Sequence, residues 1–170
     1  MSIVSVEKDF DRLSLLLVAE FDAPIERVWQ LWADPRQLER WWGPPTHPAT
    51  VEKHDLATGG EVAYFMTGPD GERPRGWWRV TSVNPPRALE FTAGFANQDG
   101  TPNADTPTTV VEVRLTERAG GTRMELRFGF DSREHMEQVE RWGAFDVFPQ
   151  SVAQMDALLA ETHNSAQEAP

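Results

Sequence analysis

The chain has 170 residues, a formal net charge of -11, seven tryptophans, nine phenylalanines, one tyrosine and no cysteine. That length suits one domain with one sizeable core, and the acidic balance excludes nucleic acid or an anionic membrane as the main partner, because both require clustered Lys and Arg. The lack of cysteine removes disulfides, thiolate metal sites and thiol nucleophiles together and fits a reducing compartment, so a cytoplasmic protein is expected.

The opening MSIVSVEKDFDR has neither a basic n-region nor an apolar leader core. No apolar run in the chain is long enough to span a bilayer, so membrane insertion is not expected. Residues 13–21 (LSLLLVAEF) are apolar between acidic flanks and read as a buried strand. Asp22, Pro24 and Glu26 then supply an N-cap, an early proline and a first-turn acid, and Ile25, Val28, Trp29 and Trp32 follow helical spacing. Asp34-Pro35 starts a second short helix with Leu38, Trp41 and Trp42 on one side, and Gly43-Pro44-Pro45 ends it.

From there the period changes to two. Strands are predicted over residues 50–56, 61–67, 76–83 and 88–95, separated by Gly59-Gly60, Gly68-Pro69-Asp70-Gly71 and Asn84-Pro85-Pro86. Val62, Tyr64 and Met66 share one face, as do Trp78 and Val80, and Leu89, Phe91, Ala93 and Phe95. Residues 96–108 hold turn formers without a period and read as a long loop. Two further strands carry Val111, Val113 and Leu115, and Met124, Leu126, Phe128 and Phe130, on one face, with charged residues on the other. After Asp131-Ser132 the stripe Met136, Val139, Trp142, Phe145, Phe148, Val152, Met155 and Leu159 predicts a long C-terminal helix, kinked or broken near Gly143 and Pro149. A single domain over residues 1–163 is expected, followed by a frayed polar tail over 164–170.

The fold class is therefore α+β: an antiparallel sheet of about six or seven strands whose apolar face is covered by the last helix. A twisted sheet wrapped around a helix and held off by large aromatics leaves a cavity. The segments FDAPIERVWQLWADPRQLERWWGP, EVAYFM after the glycine pair, VNPPRALEFT and GGTRMELRF before SREHMEQ resemble the START/Bet v 1-like superfamily (SRPBCC), with its helix-grip fold. Within it they are most similar to the activator-of-heat-shock-protein-ATPase homologues, over roughly residues 10–162. The resemblance implies an internal ligand cavity, while the superfamily includes hydrophobic-ligand carriers, cyclases, self-resistance proteins and co-chaperones, so function rests on the site.

The candidate ligand-binding residues are Trp42, at the cavity entrance, with Tyr64, Met66, Trp78, Phe91, Phe95, Phe128, Trp142, Phe145, Phe148 and Met155. A plain core explains the same stripe. Tyr64 and His54 are the candidates for proton transfer if a cyclase, dehydratase or hydrolase acts there. Glu52, His54 and Asp55 cluster before a turn but lack a helical ligand spacing, so no metal is expected. Arg73, Arg75 and Arg79 beside Trp77 and Trp78 suggest a cation–π or anion site at the rim, or a solvated strand face. His47, His135 and His163 read as solvated surface histidines. No catalytic triad order, phosphate loop or dinucleotide fingerprint occurs, and no cofactor is expected. The first reading is a binding protein for a hydrophobic or aromatic small molecule, as monomer or homodimer. The alternatives are an enzyme acting in the same cavity and a protein-interaction module using Trp77 and the acidic surface.

Overall fold

The computed structural model describes the backbone of residues 3–168 and the side chains of residues 3–161. Eight strands form one sheet: β1 (Ile3–Asp9), β2 (Ser14–Phe21), β3 (Ala49–His54), β4 (Glu61–Met66), β5 (Arg75–Asn84), β6 (Ala88–Ala96), β7 (Thr109–Arg118) and β8 (Gly121–Gly129). Helices α1 (Ile25–Ala33) and α2 (Pro35–Leu38) follow β2, and α3 (Arg133–Arg141) and α4 (Ala144–Glu168) follow β8. The sheet order is β1-β2-β8-β7-β6-β5-β4-β3, with antiparallel pairing throughout. This is the helix-grip architecture, α+β, with one strand more than the sequence pattern suggests.

The additional strand is β1. Only its pairing to β2 makes it a strand: it is an edge, and Val4 and Val6 are 52% and 38% exposed. An exposed polar edge buries too little to leave an apolar period in the sequence. At the opposite edge, β3 is protected by side chains from the preceding segment. The Glu39 carboxylate accepts the Val51 N–H (2.9 Å), and the Arg36 guanidinium donates to the Val51 carbonyl (2.7 Å).

Helix α1 is not capped by Asp22. Pro24 occupies the N-cap position, and no side chain caps the helix. The nearby Ala23 carbonyl is satisfied instead by the hydroxyl of Thr122, buried on β8 (2.7 Å). At α2 the expected cap is present: Asp34 accepts the Arg36 N–H at 2.9 Å, and Pro35 holds the first position. The helix closes at Leu38, so Trp41 and Trp42 sit in the turns after it. Trp41 is buried and donates its indole N–H to the Leu31 carbonyl at 2.8 Å. Trp32 meets the Trp41 ring edge-on at 4.6 Å and lies 6.1 Å from Trp78, which stacks on Phe91 at 4.0 Å.

The predicted C-terminal helix is two helices. The break falls at Gly143, with φ +81, a left-handed conformation that a side chain disfavours, while Pro149 lies inside α4 without ending it. Gln154 fastens α4 to the tryptophan segment by donating to the Gly43 carbonyl at 2.7 Å. The backbone of α4 runs on through Glu168, and the side chains of the expected polar tail, with His163, lie outside the described residues.

Candidate functional site

Between the inner face of the sheet and helices α3 and α4 lies a cavity of about 290 Å³. Tyr64 and Met66 from β4, Ala93 and Phe95 from β6, Val111 from β7 and Phe128 from β8 form its sheet wall. Val139, Trp142, Phe148, Ser151 and Val152 form its helical wall. The volume is near the lower end of small-molecule sites, about 300–1,000 Å³, and so is the mix of mostly apolar walls with a few polar groups. Phe95 and Trp142 are 47% and 53% exposed, and their rings meet edge-on at 6.0 Å. These two aromatics stand where the cavity reaches solvent.

Alternation along the strands brings these side chains inward. On β6, Phe91, Ala93 and Phe95 share one face, and on β8 Leu126 and Phe128 do the same. The α3–α4 break aims Trp142 and Phe148 from two helix axes. Phe148 stacks parallel on Phe128, at 4.3 Å between centroids and 4° between planes.

Tyr64 faces Gly76 across the β4–β5 pair, and a Cβ at Gly76 would lie 2.3 Å from the phenol oxygen. Only glycine there lets the ring lie over the neighbouring strand. The ring keeps some accessible surface where it faces the cavity, and protein atoms surround the rest of it. Burial therefore pushes the phenol above its ordinary value, and the Trp42 and Trp78 indole N–H groups directed toward it pull the other way. Neither indole reaches hydrogen-bond geometry, so both N–H groups, like that of Trp32, are buried without an acceptor.

His135, expected at the surface, is only 5% exposed and lines the cavity. It lies four residues before Val139 and seven before Trp142, on the apolar side of the α3 segment, and that spacing is the signal for its burial. Its Nδ1 lies 2.9 Å from the Asp131 carboxylate, and its ring stands edge-on to Phe130 at 5.4 Å. His47 also reaches the cavity, half-buried, with Nδ1 2.8 Å from the Thr46 hydroxyl and Nε2 3.4 Å from Glu72.

Of the eleven candidates, the structure brings Trp42, Tyr64, Met66, Phe95, Phe128, Trp142 and Phe148 to the cavity. Trp78, Phe91, Phe145 and Met155 lie in the closed core instead. Periodicity assigns a side chain to a face, but it does not say which part of that face the helices cover directly. Ala93, Val111, Leu126 and Val139 sit on faces read as inward, and their smaller size hides their part in the wall.

The other polar candidates are elsewhere. His54 does not line the cavity: its Nε2 lies 3.0 Å from the Trp32 carbonyl, so it does not converge with Tyr64 as an acid–base pair. Glu52 is bonded to Arg75, and among the described residues no three His, Asp or Glu side chains are placed to hold a metal. None of the three arginines reaches the cavity: Arg73 and Arg75 stack over Phe65 at 5.1 and 5.2 Å, and Arg79 pairs with Glu61. Trp77 is half-buried, donates its N–H to the Phe95 carbonyl at 3.0 Å and covers Gly94, so it is not a free surface aromatic. Among the described residues no helix is long and apolar enough to cross a membrane.

Two solved bacterial structures resemble the chain over nearly its whole length. Protein Ms6760 from Mycobacterium smegmatis is 47% identical, with a TM-score of 0.85 over 92% of this chain and 96% of that one. A protein from Arthrobacter aurescens is also 47% identical, with a TM-score of 0.90 over 94% and 93% of the two chains. A Rhodobacter sphaeroides protein at 22% identity and a TM-score of 0.80 supports the fold alone. A search of curated proteins finds no match. The family profile described as Activator of Hsp90 ATPase homolog 1-like protein matches residues 22–160, and the chain belongs to that family.

Proposed function

We propose that this protein binds a small hydrophobic molecule, aromatic in at least one part, between the sheet and helices α3 and α4, and carries or sequesters it. The observation that supports this most is the cavity of about 290 Å³, whose walls are apolar on both the sheet and the helix side. Affinity would come from apolar burial, at about 25 cal/mol per Å². The Tyr64 hydroxyl, on a ring that lines the cavity and keeps accessible surface, would fix orientation by hydrogen-bonding a ligand oxygen. The Phe95–Trp142 pair is the natural entrance, being exposed and part of the lining at once. The lack of cysteine supports a cytoplasmic setting.

Tryptophan emission titrated with a panel of polyketides, fatty acids and flavonoids tests the reading. Trp41, Trp42 and Trp142 line the cavity, so an occupant changes their surroundings. A saturable shift with a member of the panel is the expected result. No shift with any of them would overturn the proposal.

A further inference from the structure

We propose that His135 is the polar anchor of this cavity and that its Nε2 takes a weakly acidic hydroxyl, a phenol or an enol, from an otherwise apolar ligand. The inference rests on the cavity being a ligand site and adds the chemical class of the ligand.

The ring is held in one orientation from three directions. Ser132 caps α3 and its hydroxyl accepts the His135 backbone N–H at 3.0 Å, which fixes the residue in the first turn. Phe130 stands against the ring edge-on at 5.4 Å. The Asp131 carboxylate lies 2.9 Å from Nδ1, and an ionised carboxylate only accepts, so Nδ1 carries the proton of that bond. In the neutral ring this decides the tautomer: Nε2 is left as the free nitrogen. Among the described residues it has no protein partner, although the ring is 5% exposed and lies in the cavity wall.

The nitrogen is not sealed among Phe128, Phe130, Val139 and Val152 but keeps access to the cavity space, so an occupant that covers it without offering a partner would bury it at a cost. A ligand hydroxyl supplies that partner. One proton is then shared between the ligand oxygen and Nε2, and no covalent bond is broken. A carboxylate is a poorer match, because it must lose its hydration in an apolar space, and a chain of net charge -11 repels anions on approach. A neutral phenol or enol brings one acidic proton without either cost.

The test compares β-naphthol with its methyl ether by calorimetric titration of the wild-type protein, His135→Phe and Asp131→Asn. The ether is the more apolar probe, so burial alone favours it. The expected result is that wild type prefers the naphthol by about tenfold, the equivalent of one net hydrogen bond. His135→Phe removes that preference while leaving affinity for the ether within about threefold of wild type, which is less than one such bond. Asp131→Asn, at an exposed position that leaves the ring in place, reduces the preference as well, and it carries the test if His135→Phe does not fold. Equal affinity for both probes in wild type would overturn the inference and leave the cavity reading intact. So would a preference that survives the substitutions. Binding of neither probe would overturn both.

Discussion

Ala93→Phe asks whether the space between sheet and helices is open. Ala93 lies on the inward face of β6 between Phe91 and Phe95, pairs with Trp78 across the β5–β6 ladder, and lines the cavity. A phenyl ring placed there is directed into the space of about 290 Å³. Burying such a ring is worth about 1.5–3 kcal/mol, from which about 1 kcal/mol is lost in side-chain freedom, leaving a net gain of about 0.5–2 kcal/mol. For a chain of this size each kcal/mol moves Tm by about 2–4 °C, so a rise of about 1–8 °C is expected. Val80→Phe is the matched control, because Val80 is 1% exposed, packed in the core and outside the cavity. There the ring overpacks a filled region, at a cost of about 1–3 kcal/mol, and Tm falls. Thermal unfolding by circular dichroism reads both variants. The Ala93→Phe protein should also lose affinity for the ligands that shift tryptophan emission in wild type. If Ala93→Phe lowers Tm as Val80→Phe does, the interior is already filled and the cavity argument fails.

The two adjacent tryptophans should separate in experiment. Trp41→Phe loses the bond to Leu31 and leaves a void in a buried cluster, for a loss of about 2–3 kcal/mol in urea unfolding, whereas Trp42→Phe loses no hydrogen bond and should cost less. Equal losses would contradict the distinction between Trp41, buried and hydrogen-bonded to Leu31, and Trp42, half-buried without such a bond. Tyr64 predicts an alkaline limb of stability. Its native pKa lies above the unfolded value of 10.0, so both states are protonated below that pH and the contribution is complete. As pH rises past it the unfolded chain ionises first, and stability falls by up to about 1.4 kcal/mol per pH unit until the native pKa is reached. Tyr64 is the only tyrosine, so tyrosinate absorbance follows it alone. Ionisation at the ordinary pH in the folded protein, or the same limb in Tyr64→Phe, would refute this. Gly143→Ala should lower stability by about 1–2 kcal/mol, because φ at that residue is +81 and no packing is lost or gained around the added methyl. Gly143→Asn should cost less, since asparagine tolerates that conformation, and equal Tm values for the two would count against a strained backbone there.

Local patterning determined the sheet faces, the turns and the short helices. Alternation placed Leu89, Phe91, Ala93 and Phe95 together, and Asp34-Pro35 marked the start of α2, because strand period and helix capping are properties of neighbours in sequence. The exposed strand β1 escaped that reading, since its partner β2 makes it a strand and burial hardly contributes. Gly143 and Pro149 were equal candidates for the helix break, and tertiary structure chose Gly143, where the chain turns through a positive φ while Pro149 remains within α4. The cavity belongs to tertiary structure for the same reason. Phe91 and Phe95 share a face and a residue type, yet Phe91 is sealed beneath Trp78 while Phe95 stands at the mouth beside Trp142. Which of them meets open space depends on where α3 and α4 cross the sheet, a long-range packing outcome that no period of two or three and a half residues encodes. His135 shows the same division: its spacing on α3 and its i,i+4 contact with Asp131 are local, but the cavity it lines exists only once α3 and α4 pack over the sheet.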